Sequence, residues 1–447
     1  MRRGDLTEGI IWRRIVALAL PLLLGQILQQ LYNTVGAVVV GNFVSSEALA
    51  AVGSVGPLSD MLISFFMGIS SGASVLIAQS FGARDRGRVQ DAVHTAMLLA
   101  VGLGAVLSVV GMVISPSVLR WMRTPADVLP DAVRYLRTLF AGLLCMSVYN
   151  MGSAILTATG ESRKPLYCLM AASAVNIGCS LLFVPVFGMG VEGVALATVL
   201  AQLVSAVLVV IMLCRADADY KLRLRGLRLN AAIVRRIAMI GLPGGIQQAI
   251  INLSNIVVQS YINGLGGIAM AGYGACTRVE PFVFLPAQVL SLVAASFVGQ
   301  NLGARQVQRA RQGVRVTLRI ALVATALLAA LALLFGHPLL RIFTPDAQVL
   351  ALGYEFLWAF IPFYILLCFT QILPSALRGA GDVRFATLTC IGCFVGLRQI
   401  YLAIITRVMY TPTTVALGYP VTWAVAAVMI VVYYRRSNWD GFAEVSP

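Results

Sequence analysis

The sequence contains unusually little charge. Only 11% of its 447 residues are Asp, Glu, Lys or Arg, whereas soluble domains average about 25%. With 59% hydrophobic residues and a mean hydropathy of +0.87, the chain has too few polar side chains to cover a soluble fold of this size. The composition therefore excludes a soluble globular enzyme and indicates a membrane protein with several spans.

Several signatures of catalysis are also missing. The chain has only two histidines and contains no Walker lysine motif, no DDxxD pair and no HExxH motif. All eight cysteines fall in apolar stretches, so neither a disulfide framework nor a thiolate metal site is indicated. We therefore expect neither an enzyme nor an ATP-driven pump, and we expect no metal or organic cofactor.

Uncharged windows long enough to cross about 30 Å of hydrocarbon occur along nearly the whole chain. Six of them precede a basic stretch at 215–236, and six further apolar spans follow it, three of which contain one or two charged residues. We predict an all-α polytopic membrane protein with twelve transmembrane helices. The expected divisions are an N-lobe over 1–214 with helices 1–6, a basic linker over 215–236, and a C-lobe over 237–447 with helices 7–12.

Basic residues are distributed unequally among the gaps between these helices. Of the 33 Lys and Arg, 25 fall at the two termini and in alternate gaps, and six fall in the other gaps. By the positive-inside rule the richer set faces the cytoplasm. We therefore attribute the net charge of +15 to topology rather than to nucleic-acid binding. A multi-pass protein of a bacterial inner membrane with both termini inside is expected.

The two halves of the sequence repeat each other at a shift of 221 residues. The segment 79–84 (QSFGAR) corresponds to 300–305 (QNLGAR), and Gly160 corresponds to Gly381. Because six spans separate the matching segments, the halves have the same orientation, and the repeat is parallel. This pattern predicts two six-helix lobes that face a central cavity.

Amide side chains recur on the first helix of each lobe at intervals of about one helical turn. They share one helix face and predict the wall of a wet substrate cavity, although interhelical hydrogen bonds would also explain them. Aromatic residues near the same level could stack on a bulky or cationic ligand. The predicted substrate-cavity residues are Gln26, Gln30, Asn33, Gln248, Asn252, Asn255, Gln259, Arg278, Tyr32, Tyr149 and Tyr273.

Five ionisable residues lie within the predicted helices, where charge is costly and is typical of functional sites. They are Asp60, Arg278, Glu280, Glu355 and Arg398. Asp60 and Glu280 lie near mid-membrane and could exchange protons or hold a cation. Arg278 is two positions from Glu280, so their side chains diverge around the helix. Glu355 and Arg398 lie at similar depth in helices 10 and 11, which favours a structural ion pair between them.

Several short motifs carry a family resemblance. They are Leu20-Pro21, LYNTV at 31–35, ALAAVG at 48–53, the repeated Gln-x-x-Gly-Ala segments, LRGAGD at 377–382 and YPVTW at 419–423. Over nearly the whole chain they resemble the multidrug and toxic compound extrusion (MATE) transporters. The resemblance implies two bundles around a V-shaped cavity and export of organic, often cationic, compounds in exchange for Na⁺ or H⁺. It places the chain near the bacterial branch with Arg-x-Glu in helix 8, here 278–280.

The chain departs from this family at the cation sites that the resemblance implies. In the N-lobe site Asn176 and Thr198 match the family, but Gly36 and Ser180 replace its two acids. The acids of the family's C-lobe site are missing as well, with Ile251 at the position in helix 7. Hard cations need several oxygen ligands and compensating charge, so weak Na⁺ binding is expected.

We expect the coupling ion, H⁺ or Na⁺, to be handled by Glu280 with help from Asp60 and Glu355, and by Asn176 and Thr198. The expected partners are a small organic substrate and the lipid bilayer, without nucleic acid, and the chain is expected to act as a monomer. A lipid-linked oligosaccharide flippase of the same superfamily is the alternative, but it would need several cavity arginines to hold a pyrophosphate. A membrane enzyme acting on lipids would need clustered acids or histidines at a membrane face.

Overall fold

The computed structural model describes the backbone of most of the chain. The described backbone covers residues 4–43, 46–121, 129–439 and 441, and the described side chains cover residues 4–31, 63–121, 129–223, 225–439 and 441. Within these ranges every regular element is helical and no strand occurs, as the composition predicts.

Sixteen α-helices are numbered along the described chain. Their bounds are α1 (Ile11–Phe43), α2 (Ser46–Gly82), α3 (Arg86–Trp121), α4 (Leu129–Ala158), α5 (Arg163–Phe183), α6 (Gly190–Cys214), α7 (Ala231–Gly264), α8 (Gly267–Gly303), α9 (Val307–Leu334), α10 (Gly336–Arg341), α11 (Ala347–Phe360), α12 (Tyr364–Ala380), α13 (Arg384–Ile391), α14 (Arg398–Val408), α15 (Pro412–Ala416) and α16 (Gly418–Arg436). Two 3₁₀ turns, Leu224–Gly226 and Ile361–Phe363, and a π-helical turn, Gly392–Leu397, complete them.

Eleven described segments are long and apolar enough to span a membrane. Three of these spans are composite: α11 and α12 form one, α13 and α14 form the next, and α15 and α16 form the last. The 34-residue helix α7 is not among these eleven, and amides such as Gln248 and Asn252 interrupt its apolar sequence. Counted together with α7, the described chain has twelve helical segments of membrane-spanning length, in agreement with the number predicted from the sequence.

The chain folds into two compact units. Unit 1 comprises 1–5 and 17–242, and unit 2 comprises 6–16 and 243–447. The stretch 215–236, which the sequence set apart as a linker, therefore packs within unit 1. There the backbone N–H of Arg223 donates to Nε2 of His94 at 3.2 Å, and the N–H of Asn230 donates to Oγ1 of Thr95 at 3.2 Å.

In unit 1, helix α4 is central and packs against α2, α3 and α6. Two glycines of α3 allow its close approach to α4: Gly104 lies against Ser147, and Gly111 lies under the ring of Phe140. The Ser147 hydroxyl crosses between the helices and donates to the carbonyl of Ala100 at 2.8 Å. Small residues and crossing hydroxyls of this kind are typical of helix packing in membranes.

In unit 2, helix α8 is central and packs against α9, α11 and α12. Gly272 of α8 lies so close to Gly353 of α11 that a Cβ on Gly272 would stand 2.9 Å from the Gly353 nitrogen. Gly379 of α12 makes a similar approach to the backbone of Ala295. These contacts hold α8 in the middle of the unit, where its side chains face several helices at once.

Corresponding turns in the two units have the same backbone conformation. Arg84 and Arg305 have φ values of 59° and 60° at the ends of α2 and α8, a left-handed conformation that is uncommon for residues other than glycine. Gly160 and Gly381 have φ values of 81° and 93° after α4 and α12. The parallel repeat predicted from the sequence therefore extends to individual dihedral angles.

Candidate functional site

A carboxylate lies among tyrosines in the core of unit 2. Glu280 of α8 is half-buried, and on the same face of α8 lie Tyr273 and Cys276, at positions i−7 and i−4 relative to it. The hydroxyl of Tyr364, from α12, lies beside the Glu280 carboxylate without another described partner. The carboxylate therefore has a dense, mostly apolar surround with phenol groups as its nearest polar neighbours.

An aromatic shell surrounds this carboxylate. The ring centroids of Tyr364 and Trp423 are 5.3 Å apart. The Tyr273 ring meets Phe356 edge to face, with 5.4 Å between the ring centroids. Phe360 packs against Tyr364 at 6.3 Å. The shell removes much of the water from around Glu280, so its charge depends on the few polar groups close by.

A buried arginine lies next to the tyrosine cluster. Arg398, the first residue of α14, is only 2% exposed. Its Nη1 donates to Oδ1 of Asn255 at 3.0 Å, and its Nη2 donates to Oγ1 of Thr422 at 3.4 Å. The guanidinium carbon lies 4.3 Å from the centre of the Tyr419 ring, and its Nε–H is buried without a partner among the described residues.

Tyrosines connect the carboxylate and the arginine. The hydroxyls of Tyr273 and Tyr419 are 3.0 Å apart, and Tyr419 lies under the guanidinium of Arg398. Glu280 and Arg398 lie within electrostatic range of each other, yet they form no direct ion pair within the described chain. The two charged groups are therefore separated by tyrosines. Tyr364 lies beside Glu280, and Tyr419 lies against Arg398.

A π-helical turn positions the arginine. The turn Gly392–Leu397 joins α13 to α14 and ends directly before Arg398. Its Phe394 carbonyl accepts a hydrogen bond of 3.0 Å from the Ser254 hydroxyl, and Gln399 donates to the same hydroxyl at 2.9 Å. Turns of this kind are rare and often lie at functional sites. This turn was not predicted from the sequence, although two glycines within one membrane helix, Gly392 and Gly396, indicate an irregular backbone there.

The amide stripe of α7 is largely accessible. Gln248 is exposed and donates to Asn252 at 3.2 Å, and Gln259 donates to Asn263 at 2.8 Å. Asn255 is exposed as well, although its oxygen accepts from Arg398. The stripe therefore offers a polar surface on one side and a direct connection to the buried arginine.

The ion pair expected between Glu355 and Arg398 does not form in the described chain, and that expectation was wrong. Glu355 is exposed on α11 and accepts a hydrogen bond from the hydroxyl of Thr413. Arg398 instead faces α7 and α16, where Asn255 and Thr422 accept its hydrogen bonds. Similar depth in two helices is not sufficient for contact, because the rotation of each helix decides which way its side chain points.

Two other predicted residues lie away from the Glu280 cluster. Arg278 is exposed with its guanidinium 6.0 Å from the Phe343 ring, so it diverges from Glu280 as the two-residue spacing predicts. Tyr149 is half-buried and packs against the hydrophobic core of unit 1.

The polar residues of the N-lobe site come together in unit 1. Asn176 is buried on α5, and its Nδ2 donates to Oγ1 of Thr198 on α6 at 3.3 Å. The hydroxyls of Ser173 and Ser180 are buried on the same helix without partners in the described chain. No group of three or more His, Cys, Asp or Glu that could hold a metal ion occurs among the described residues.

Some predicted site residues lie outside the described side chains. These are Tyr32, Asn33 and Asp60, together with Gly36 in the expected N-lobe site. Gln26 and Gln30 are described, and both are half-buried on α1. The contributions of Tyr32, Asn33 and Asp60 to a cavity or a coupling site stay predictions.

Comparison with known families agrees with the internal repeat. The MatE family model matches residues 21–182 and again residues 243–404, two stretches offset by 222 residues. The chain belongs to the MatE family. It is therefore a multi-pass membrane transporter, and its two matched stretches are the repeated lobes.

Relatives of this transporter extend over almost its full length. It is 30% identical over 436 residues to the probable multidrug resistance protein YoeA of Bacillus subtilis, covering 95% of this chain and 94% of the relative. It is 28% identical to an FAD transporter of Shewanella oneidensis, covering 86% and 83% of the two chains. It is 24% identical to the probable multidrug resistance protein NorM of Thermotoga maritima, covering 83% and 81%.

Solved structures have the same fold as this transporter. A crystal structure of MATE in the straight conformation superimposes with a TM-score of 0.91 at 24% identity, covering 97% of this chain and 98% of the other. The outward-facing conformation of a multidrug resistance MATE family transporter of the MOP superfamily gives 0.91 at 23% identity, with 97% of each chain covered. At this identity the likeness establishes the two-lobe fold.

Proposed function

We propose that this transporter exports organic, chiefly cationic, compounds across the bacterial inner membrane by alternating access, in exchange for protons that bind at Glu280. The observation that carries the proposal is the half-buried Glu280 carboxylate inside an aromatic core. A carboxylate in such a place changes its interaction with its surround strongly when it gains or loses a proton. Proton binding there can therefore favour one conformation of the lobe over another.

The substrate class is supported by the relatives and by the accessible surface of α7. Two of the relatives described above are named probable multidrug resistance proteins. The exposed amides Gln248 and Asn255 offer donors and acceptors without a fixed charge, which suits varied ligands better than a single anion. We propose that this amide face contacts the substrate, and that Asn255 links it to the buried charge cluster.

Protons are proposed over Na⁺ because the polar groups described around Glu280 are chiefly phenols and a guanidinium rather than several carboxylate and carbonyl oxygens. Na⁺ is a hard cation that needs several oxygen ligands. Asn255 and Thr422 accept hydrogen bonds from Arg398 through their side-chain oxygens, so the guanidinium competes with a metal ion for them. The guanidinium also supplies the positive charge that compensates the ionised carboxylate, and it opposes a second cation nearby.

A flippase for lipid-linked oligosaccharides receives less support. Holding a pyrophosphate needs accessible arginines with free donors. Arg398 is 2% exposed, and both of its terminal nitrogens have partners. Arg278 is exposed, but its guanidinium lies over Phe343 and away from the Glu280 cluster.

The test is efflux of a cationic dye from proteoliposomes under separate H⁺ and Na⁺ gradients. We expect a pH gradient to accelerate efflux, a Na⁺ gradient to have no effect, and Glu280→Gln to remove the acceleration. Glu192→Gln makes the same chemical change at an exposed position in the first turn of α6 and should behave as wild type. Gradient-driven efflux that survives Glu280→Gln in folded protein would exclude this carboxylate as the coupling group.

A further inference from the structure

Three arginines follow one exposed face of α9. Arg311, Arg315 and Arg319 are spaced four residues apart and are all exposed. Residues at this spacing lie on the same side of a helix, and eight residues extend the row over about 12 Å. None of the three pairs with a described carboxylate. The row is therefore a strip of positive charge with its donors still available.

Aromatic side chains pack against the Arg311 end of this row. The guanidinium carbon of Arg311 lies 5.8 Å from the centre of the Trp439 ring, and Trp439 is 1% exposed. Tyr434 meets Trp439 edge to face at 5.2 Å and lies within electrostatic range of both Arg311 and Arg315. A guanidinium held over a ring keeps its N–H groups directed outward in the plane of the fork.

The row ends where the apolar part of α9 begins. Arg319 is the last charged residue of the helix, and residues 320–334 contain no charge. The opposite side of the helix packs inside unit 2 through small residues such as Gly313 and Ala321. The arginine row therefore faces outward at the level where the hydrocarbon region gives way to headgroups.

We propose that this surface, defined as Arg311, Arg315 and Arg319, binds the headgroup of an anionic phospholipid in the cytoplasmic leaflet, with the buried Trp439 ring positioning Arg311. The positive-inside rule predicts that the arginine-rich end of α9 is cytoplasmic, and anionic lipids attract basic residues at that surface. Guanidinium forks match phosphate oxygens in geometry. The surface is an open row along a helix, which suits a lipid lying beside it better than a small free anion.

The experiment measures binding of headgroup-labelled phosphatidylglycerol to the full-length protein in neutral detergent. We expect phosphatidylglycerol to bind at least tenfold more tightly than phosphatidylcholine. Replacing all three arginines with Gln should weaken phosphatidylglycerol binding by about a hundredfold, since each interfacial arginine accounts for about fivefold. The single variant Arg315→Gln, expected to lose about fivefold, keeps the test valid if the triple variant does not fold.

A matched triple variant separates a specific surface from net charge. Arg225, Arg228 and Arg235 are equally exposed in the basic stretch before and at the start of α7, and their replacement with Gln removes the same charge. Retained phosphatidylglycerol binding in this control supports the α9 surface. Three results would overturn the proposal: equal loss in both triple variants, equal binding of the two lipids, or displacement of phosphatidylglycerol by millimolar inorganic phosphate.

Discussion

The guanidinium of Arg398 donates from Nη1 to the side-chain oxygen of Asn255 over 3.0 Å and so ties α14 to α7. Asn255 is exposed, whereas Arg398 is almost fully buried. A ligand that contacts Asn255 is therefore one hydrogen bond away from the Arg398 guanidinium, which lies within electrostatic range of Glu280. The proposed substrate and proton sites therefore have a short physical connection within one unit.

Asn255→Ala should destabilise the transporter. The change leaves one N–H of a buried guanidinium without its partner, which costs about 1.5–3 kcal/mol for a hydrogen bond to a charged group. Thermal unfolding in detergent measures the difference. Asn252→Ala is the matched control, because the described partner of Asn252 is the exposed Gln248, and its loss should change stability by less than about 0.5 kcal/mol. Equal losses of stability in the two variants would show that the hydrogen bond from Arg398 to Asn255 contributes no more than the one between Gln248 and Asn252.

Arg398→Gln should alter the ion preference of transport. Without the fixed positive charge, the oxygens of Asn255 and Thr422 become available and an ionised Glu280 lacks compensation. We expect a Na⁺ gradient to accelerate dye efflux by this variant, and Arg398→Lys to keep the wild-type preference for protons. The readout is the ratio of efflux rates under the two gradients, which a general loss of folding would not shift. A wild-type protein already driven by Na⁺ would contradict the argument.

Gly36→Asp together with Ser180→Asp should create a Na⁺ response. Asn176 and Thr198 already lie in contact in unit 1, and the resemblance to the family implies acids at positions 36 and 180. Two added carboxylates supply the charge that a hard cation needs. Efflux under a Na⁺ gradient in proteoliposomes measures the effect, with Ser173→Asp as a control on the same helix. No Na⁺ response in the folded double variant would count against a vestigial site.

Gly72→Ala should destabilise unit 1, whereas Gly102→Ala should not. A Cβ on Gly72 would collide with the carbonyl of Ile237 and lie 2.8 Å from the nitrogen of Gly241, an overpacking that costs about 1–3 kcal/mol. A Cβ on Gly102 meets nothing within 4 Å, and alanine is about 0.5–1 kcal/mol better than glycine in a helix. Paired unfolding curves in detergent test the contrast, and equal midpoints would refute the close approach of α2 and α7.

The sequence predicted the helix number, the repeat and the family, because hydropathy and repeated turn motifs are properties of the chain read in order. It also predicted that Arg278 and Glu280 diverge, since two residues of one helix have a fixed angular relation. It did not predict that Arg398 meets Asn255 and Thr422 instead of Glu355. That outcome depends on the rotation of separate helices, and at Arg398 an irregular turn changes the rotation.

The π-helical turn before Arg398 amounts to one extra residue in an otherwise regular helix. In a helix each residue adds about 100° of rotation, so moving this irregularity past position 398 would swing the arginine a quarter-turn away from Asn255 and the tyrosines. No covalent bond would break, but the hydrogen bonds of the Phe394 carbonyl and its neighbours would exchange, and those from Arg398 to Asn255 and Thr422 would be lost. The helix that carries Arg398 could thus rotate locally by about one residue, while its two ends stay in place.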